Sequence, residues 1–193
     1  MDLVRPAVHA IGVIGAGRLG RGIALATALG GYRTILEDLL PNALRRAECE
    51  LRDCLDSAVA QGSVSAGAAD AAFSHLEFAG SVEDAARVAD LVIEAGPEEL
   101  ESKIEMFTLL DKICRPGTIL VSNLASLSIT EIARVTYRAR HCVGMRFPVE
   151  TGARLEIIRG LETNDETLAA AVEVGERMGR EVVVVEDMGS ASQ

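Results

Sequence analysis

Gly15, Gly17 and Gly20 stand in G-x-G-x-x-G spacing within Gly15-Ala16-Gly17-Arg18-Leu19-Gly20. That spacing suits a phosphate-holding turn wherever it joins a strand to a helix. The first glycine permits the tight bend. The second has no Cβ, so an anion can approach the backbone, and the third lets the helix pack closely on the sheet. The open helix start, which includes Arg18 and Leu19, offers free N–H groups and a partial positive charge to a diphosphate. Asp38 follows 23 residues after Gly15. A carboxylate there accepts hydrogen bonds from ribose hydroxyls and repels a 2′-phosphate, which favours NAD over NADP. Glu37 adjoins it, but side chains alternate along a strand, so only one of the two acids reaches the ribose. The plain alternative is a tight turn with no ligand, because the glycine pattern alone is weak; its strength comes from the elements around it.

The apolar pattern supplies those elements. His9 to Ile14 reads as a short buried strand, and Gly22 to Leu29 as a helix ended by Gly30 and Gly31. Arg33 to Leu36 is a second strand, and Pro41 suits a first helical turn. Helices over 42–60 and about 66–72 form a pair that projects as a hairpin. Further strands are expected at Leu76 to Phe78, Asp90 to Glu94, Thr118 to Val121, Cys142 to Gly144, Leu155 to Ile158 and Glu181 to Val185. Helices are expected over Ser81 to Val88, from Pro97, Glu98 and Glu99 through Ile113, and over Asp165 to Met178, capped by Gly179. Ser128, with Glu131 three residues later, reads as a capping box. The alternation predicts one Rossmann-type α/β domain over residues 1–193, doubly wound and mostly parallel, with a helical hairpin at about 42–72 after the second strand.

Composition narrows the function classes. Asp plus Glu outnumber Lys plus Arg by 29 to 19, a formal charge of −10, which argues against nucleic acid and membrane surfaces as partners. Backbone amides can still hold an anion. No apolar run is long enough for a bilayer span and the start lacks a signal-like segment, so cytoplasmic residence is expected. The four cysteines, Cys49, Cys54, Cys114 and Cys142, show no CxxC spacing. Neither a disulfide nor a metal site is expected, and all four are read as buried thiols.

Several stretches resemble the 3-hydroxyacyl-CoA dehydrogenase family: Ile11 to Gly22, Leu91 to Lys103 (LVIEAGPEELESK), Val121 to Ala133 (VSNLASLSITEIA) and Leu155 to Gly160 (LEIIRG). The resemblance runs over about residues 8–189. It implies hydride transfer between the 3-hydroxyl of an acyl-CoA and NAD, an extra helical hairpin after the second strand, and a separate helical C-terminal domain that roofs the pocket and forms the dimer. It also implies an active centre of a serine, a histidine base, a glutamate that orients the histidine, and an asparagine from the following domain. In Ser122-Asn123-Leu124-Ala125-Ser126 the serine position falls on Ala125, and in Met145-Arg146-Phe147-Pro148 the histidine position falls on Arg146. The stretch up to Glu156 is two residues shorter than the family pattern, and Glu156 matches the orienting glutamate. The family's later motif becomes Glu186-Asp187-Met188-Gly189-Ser190, and with the sequence ending at Gln193 the helical domain is expected to be absent.

These departures bear on the chemistry. Alcohol oxidation needs a base near neutral pH; a histidine titrates near pH 6.5, whereas an arginine stays protonated to above about pH 12. Arg146 therefore reads either as half of an ion pair with Glu156 or as a ligand for an anionic or carbonyl oxygen. Ser126 is a candidate substrate contact, with local backbone bonding as the alternative. By resemblance, Glu94 and Asn123 lie near the nicotinamide end. Lys103 lies on the following helix, either facing the cofactor or pairing with Glu99 at the surface. His9, His75 and His141 fall at or near strand starts, away from that end. The leading expectation is a divergent NAD-dependent oxidoreductase for a small or thioester-linked hydroxyacyl or oxoacyl substrate. Its pocket would be covered by a second copy, as in a homodimer, or by a partner protein. The alternatives are an NAD-binding module or an accessory subunit without hydride transfer of its own.

Overall fold

Five consecutive buried residues make up β1 (Ala10–Ile14). A strand buried on both faces needs cover on both, and parallel sheets obtain it from helices. The computed structural model describes residues 7–147 and 154–188. β1 lies inside an eight-stranded sheet of order β3-β2-β1-β4-β5-β6-β7-β8. The other strands are β2 (Arg33–Glu37), β3 (Leu76–Ala79), β4 (Leu91–Glu94), β5 (Ile119–Asn123), β6 (Cys142–Arg146), β7 (Arg154–Arg159) and β8 (Glu181–Glu186). Every neighbouring pair is parallel except β6 with β7. The arrangement is Rossmann-like. The strand order reverses between β1 and β4, and ligands of such sheets bind at the carboxyl ends of strands beside that switch.

Strand alternation sorts the core into two layers. Ile11, Val13, Leu36, Ile93 and Val121 pack with α1 (Arg18–Leu29), α2 (Pro41–Ala60), α3 (Ala66–Ser74) and α7 (Asp165–Arg177). Ala10, Ile14, Ile35, Val92 and Leu120 pack on the other side with α4 (Val82–Ala86), α5 (Leu100–Ile113) and α6 (Ile129–Ala133). The α2–α3 pair follows β2, as the sequence predicts. Ser65, Ser81, Ser128 and Asn164 each accept an amide hydrogen as helix N-caps. Among the described residues no helix is long and apolar enough to cross a membrane.

Four details differ from expectation. Helix α5 begins at Leu100 rather than near Pro97, and the side chain of Glu98, ahead of the helix, accepts the Ala125 amide. Asp90 precedes its strand and binds the His9 and Ala10 amides, each at 2.9 Å. Cys49 and Cys54 are exposed, on the solvent side of amphipathic α2, whereas Cys114 and Cys142 are buried as expected. The apolar run Glu181–Glu186 is an edge strand, and its valines are only partly covered.

The turn between β1 and α1 depends on one close approach. A Cβ on Gly20 would stand 1.8 Å from the Gly15 carbonyl oxygen, while Gly15 itself sits at φ 102°. Gly20→Ala must therefore push α1 off the turn. It is expected to lower the thermal midpoint and weaken dinucleotide binding by roughly tenfold or more, as for other forced contacts in a packed site; calorimetry showing unchanged affinity would contradict this geometry.

Candidate functional site

At the carboxyl end of β1 the chain turns through Gly15 and Ala16 into α1. The N-cap of α1 is Gly17, which has no side chain to satisfy the first-turn amides, and there is no acidic residue in that turn. A Cβ on Gly17 would meet nothing within 4 Å, so that side of the turn is open. Arg18 and Leu19 are exposed beside it. Asp38 leaves the end of β2 and accepts the Ala16 amide at 3.1 Å and the Leu40 amide at 2.9 Å. Arg21 donates to the Ala16 carbonyl at 2.8 Å and reaches Glu50 on α2 at 2.7 Å, which ties the turn to the helical hairpin. Bare amides, an open Cβ position and a carboxylate at the neighbouring strand tip fit a dinucleotide: its diphosphate on the first turn of α1 and its adenosine ribose at Asp38.

Next along the sheet, at the end of β4, lies a buried charge network. Glu94 is 3% exposed and Lys103 1%. Lys103 Nζ donates to Glu94 Oε2 at 2.7 Å and to the Asn123 carbonyl at 2.8 Å. Ser122 Oγ donates to the same Glu94 oxygen at 2.8 Å, and the Gly96 amide donates to Oε1 at 2.7 Å. The surface pair with Glu99 is thus not formed. Lys103 turns inward and ties α5 to β4 and β5, with no nitrogen exposed for direct contact with a ligand. Glu98 Oε1 accepts the amides of Ala125, Ser126 and Leu127 at 2.8, 2.8 and 3.1 Å. Burial works against its charged form, but these amides and the Lys103 charge hold its carboxyl below the usual range. The loop that carries Ser126 is therefore folded around Glu98, and its three amides are already engaged.

Beyond that loop, a cleft of about 540 Å³ is lined by Ser126, Arg146, Glu156, Ile158, Val185 and Met188, among others. Arg146 and Glu156 face each other across the antiparallel β6–β7 pair. Arg146 Nη1 donates to Glu156 Oε2 at 3.0 Å, and Arg154 approaches Oε1 at 3.4 Å. Both guanidinium Nε atoms are buried without a hydrogen-bond partner. At the mouth, Asp187 Oδ2 accepts the Ser128 hydroxyl and the Thr130 amide at 2.7 and 2.8 Å.

Sequence-predicted residues therefore fall into three neighbouring groups on one edge of the sheet. Gly15, Gly17, Arg18, Leu19, Gly20 and Asp38 form the turn; Glu94, Lys103 and Asn123 form the buried network; Ser126, Arg146 and Glu156 share the cleft. His9, His75 and His141 lie at the opposite, amino ends of the strands. The shortened stretch before Glu156 and the segment from Gly189 onward fall in 148–153 and 189–193, outside the described residues. Sequence reasoning missed the partners Glu98, Arg154 and Asp187. No local signal marks Glu98 or Asp187, since their contacts span 27 to 29 and 57 to 59 residues. Arg154 was within reach, two residues before Glu156 on the same strand face.

Known proteins are similar to this chain in sequence and fold. Residues 10–188 match the family described as 3-hydroxyacyl-CoA dehydrogenase, NAD binding domain. A probable 3-hydroxybutyryl-CoA dehydrogenase of Bacillus subtilis is 38% identical over 182 residues, which are 93% of this chain and 63% of that protein. A 3-hydroxyadipyl-CoA dehydrogenase of Escherichia coli is 33% identical over 91% of this chain and 37% of its own length. The chain thus spans less than two thirds of either relative. A crystal structure of 3-hydroxybutyryl-CoA dehydrogenase from Escherichia coli K12 superposes with a TM-score of 0.88 at 32% identity, covering 94% of this chain and 39% of that one. One from Ralstonia eutropha gives 0.88 at 31% identity, covering 94% and 64%.

The buried network makes a stability prediction. Lys103→Met leaves the Glu94 carboxylate without its cation and is expected to cost about 3–5 kcal/mol in urea unfolding. Pairing it with Glu94→Gln should recover most of that loss. A cost below about 1 kcal/mol for the single change would mean the pair is not the anchor its burial indicates.

Proposed function

Because the chain belongs to the 3-hydroxyacyl-CoA dehydrogenase family, and its cofactor is accordingly NAD, we propose that it is a divergent NAD-dependent oxidoreductase acting on a hydroxyacyl or oxoacyl thioester or a related small substrate. The observation that carries this reading is the cleft beside β6, β7 and β8, which gathers Ser126, Arg146 and Glu156; Ser126 follows β5 and Arg146 ends β6, at the carboxyl edge of the sheet that also carries the glycine turn. Bound NAD supplies the hydride acceptor or donor. The glycine turn would hold its diphosphate and Asp38 its adenosine ribose, and the ends of β4 and β5 follow next along the same sheet edge, between the turn and that cleft. Glu94, Lys103 and Asn123 brace those strand ends.

In this reading Arg146 stands where the resemblance places a histidine. An arginine side chain offers donors and no acceptor, so it takes no proton from an alcohol. It stabilises negative charge on a carbonyl or carboxylate oxygen. Glu156, at 3.0 Å, fixes its orientation. Ser126, at the cleft wall, offers a hydroxyl to the substrate where Ala125 has none. The open rim, where Met188 is 93% exposed, suits cover by another polypeptide, a second copy or a partner protein.

One observation favours a second reading. The Arg146–Glu156 pair, with Arg154 on the other carboxylate oxygen, already satisfies Glu156. An NAD-binding module or accessory subunit without hydride transfer needs nothing more from these residues. A panel of 3-hydroxyacyl and 3-oxoacyl thioesters, followed at the nicotinamide absorbance band, separates the two. The oxidoreductase reading expects turnover that falls by about 100-fold in Arg146→Ala, the size typical for loss of one charge-stabilising donor. NAD binding without turnover of any thioester would favour the module.

A further inference from the structure

β2 ends on two adjacent acids with different environments. Asp38 is partly exposed and has amide partners. Glu37 is 2% exposed, and its Oε1 is buried with no hydrogen-bond partner. Its backbone carbonyl accepts the Gly15 amide at 2.9 Å, so its side chain hangs from the residue that anchors the start of the glycine turn. Its register partners are Ile14 on β1 and Ala79 on β3.

Among the described residues no cation pairs with this carboxyl. β1 carries no ionisable side chain. On β3, Glu77 is held by Arg33 at 2.6 Å. On α4, Glu83 is held by Arg87, and Asp84 accepts the Ser81 hydroxyl. On β4, Glu94 is held by Lys103, and on α1, Arg21 is held by Glu50. The charged group that acts on Glu37 is Asp38, of like sign. Burial pushes Glu37 up to about 7, the Asp38 charge adds to the rise, and the Gly15 amide offsets only part of it.

We propose that Glu37 is a positioning residue for the dinucleotide whose charge state sets NAD affinity. As a neutral acid it supports the turn without adding charge. As a carboxylate it places a second negative charge beside Asp38 and against the incoming diphosphate. Neither the glycine pattern nor the ribose-binding carboxylate requires an acid here. The raised value also fixes the sign for folding. The stability Glu37 contributes is fully present below its ordinary value of 4.5 and is lost as pH rises through about 7.

Binding that favours the protonated form must take up protons near neutrality. Calorimetry with NAD from about pH 5.5 to 8.5, in buffers of different ionisation enthalpy, tests this. In the unaltered protein the dissociation constant is expected to rise about tenfold between pH 6 and pH 8, with proton uptake near pH 7, as for one like charge added beside a bound anion. Glu37→Gln is expected to abolish both effects and hold the low-pH affinity. The carboxyl carbon of Glu37, followed by NMR in the unaltered protein, should titrate near 7 and move upward when NAD is added. A flat affinity profile, an unchanged slope in Glu37→Gln, or an NMR midpoint below about 5 would overturn the proposal while leaving the cofactor assignment intact. Failure of both proteins to bind NAD at every pH would overturn the cofactor assignment, and the proposal with it.

Discussion

The contact between Gly20 and the Gly15 carbonyl, closer than any side chain permits, brings α1 down onto the tip of β1. That position aims the uncapped first-turn amides at the switch between β1 and β4, where the sheet leaves a crevice. Most other helices of the chain fill their starts: α3, α4, α6 and α7 have side-chain caps, α5 carries an acid in its first turn, and α2, uncapped like α1, opens on a proline that has no amide hydrogen to leave bare. α1 has neither a side-chain cap nor a first-turn acid. An anion is the natural complement to such a terminus. The floor under the crevice, the hairpin beside it and the cleft beyond it are all arranged relative to this one turn.

A chain of net charge −10 that binds an anionic cofactor must manage its own acids. Each acid near the sheet edge has a specific arrangement. Glu94 is neutralised by Lys103 and bonded by Ser122. Glu98 is wrapped by three amides and Asp187 by a hydroxyl and an amide. Glu156 sits between two arginines. Glu37 is buried with Oε1 unpartnered and has the like-charged Asp38 beside it, which is why it keeps its proton to near neutrality. Arg21, Lys103, Arg146 and Arg154 all pair with acids along the edge, so what the turn leaves open to an anion is chiefly backbone.

Much of this was legible in the sequence. The glycine spacing, the strand before it and Asp38 after it are local features, and the turn they specify is local too. The alternation of apolar runs set the order of elements, and the helical pair after β2 followed from Pro41 and the break at Gln61 to Ser65. The parts that were not legible depend on distance along the chain. Lys103 reads equally well as a surface partner of Glu99 until the fold shows it buried against Asn123, 20 residues on. Glu98 looks like a helix start because nothing near it announces three amides from the loop after β5. Cys49 and Cys54 were misjudged because residue type outweighed their place on the solvent face of α2. β8 is strongly apolar in sequence, yet being an edge strand is a property of the sheet, not of the strand.

The central claim is that backbone amides of the β1–α1 turn hold the diphosphate of NAD. Amide proton–nitrogen spectra recorded while NAD is added read those groups one by one. The account predicts that the signals of Gly17 through Gly20 move furthest, together with that of Asp38, and do so saturably. Signals from the turn that stay fixed while millimolar NAD is present, or shifts confined to other parts of the sheet edge, would contradict it.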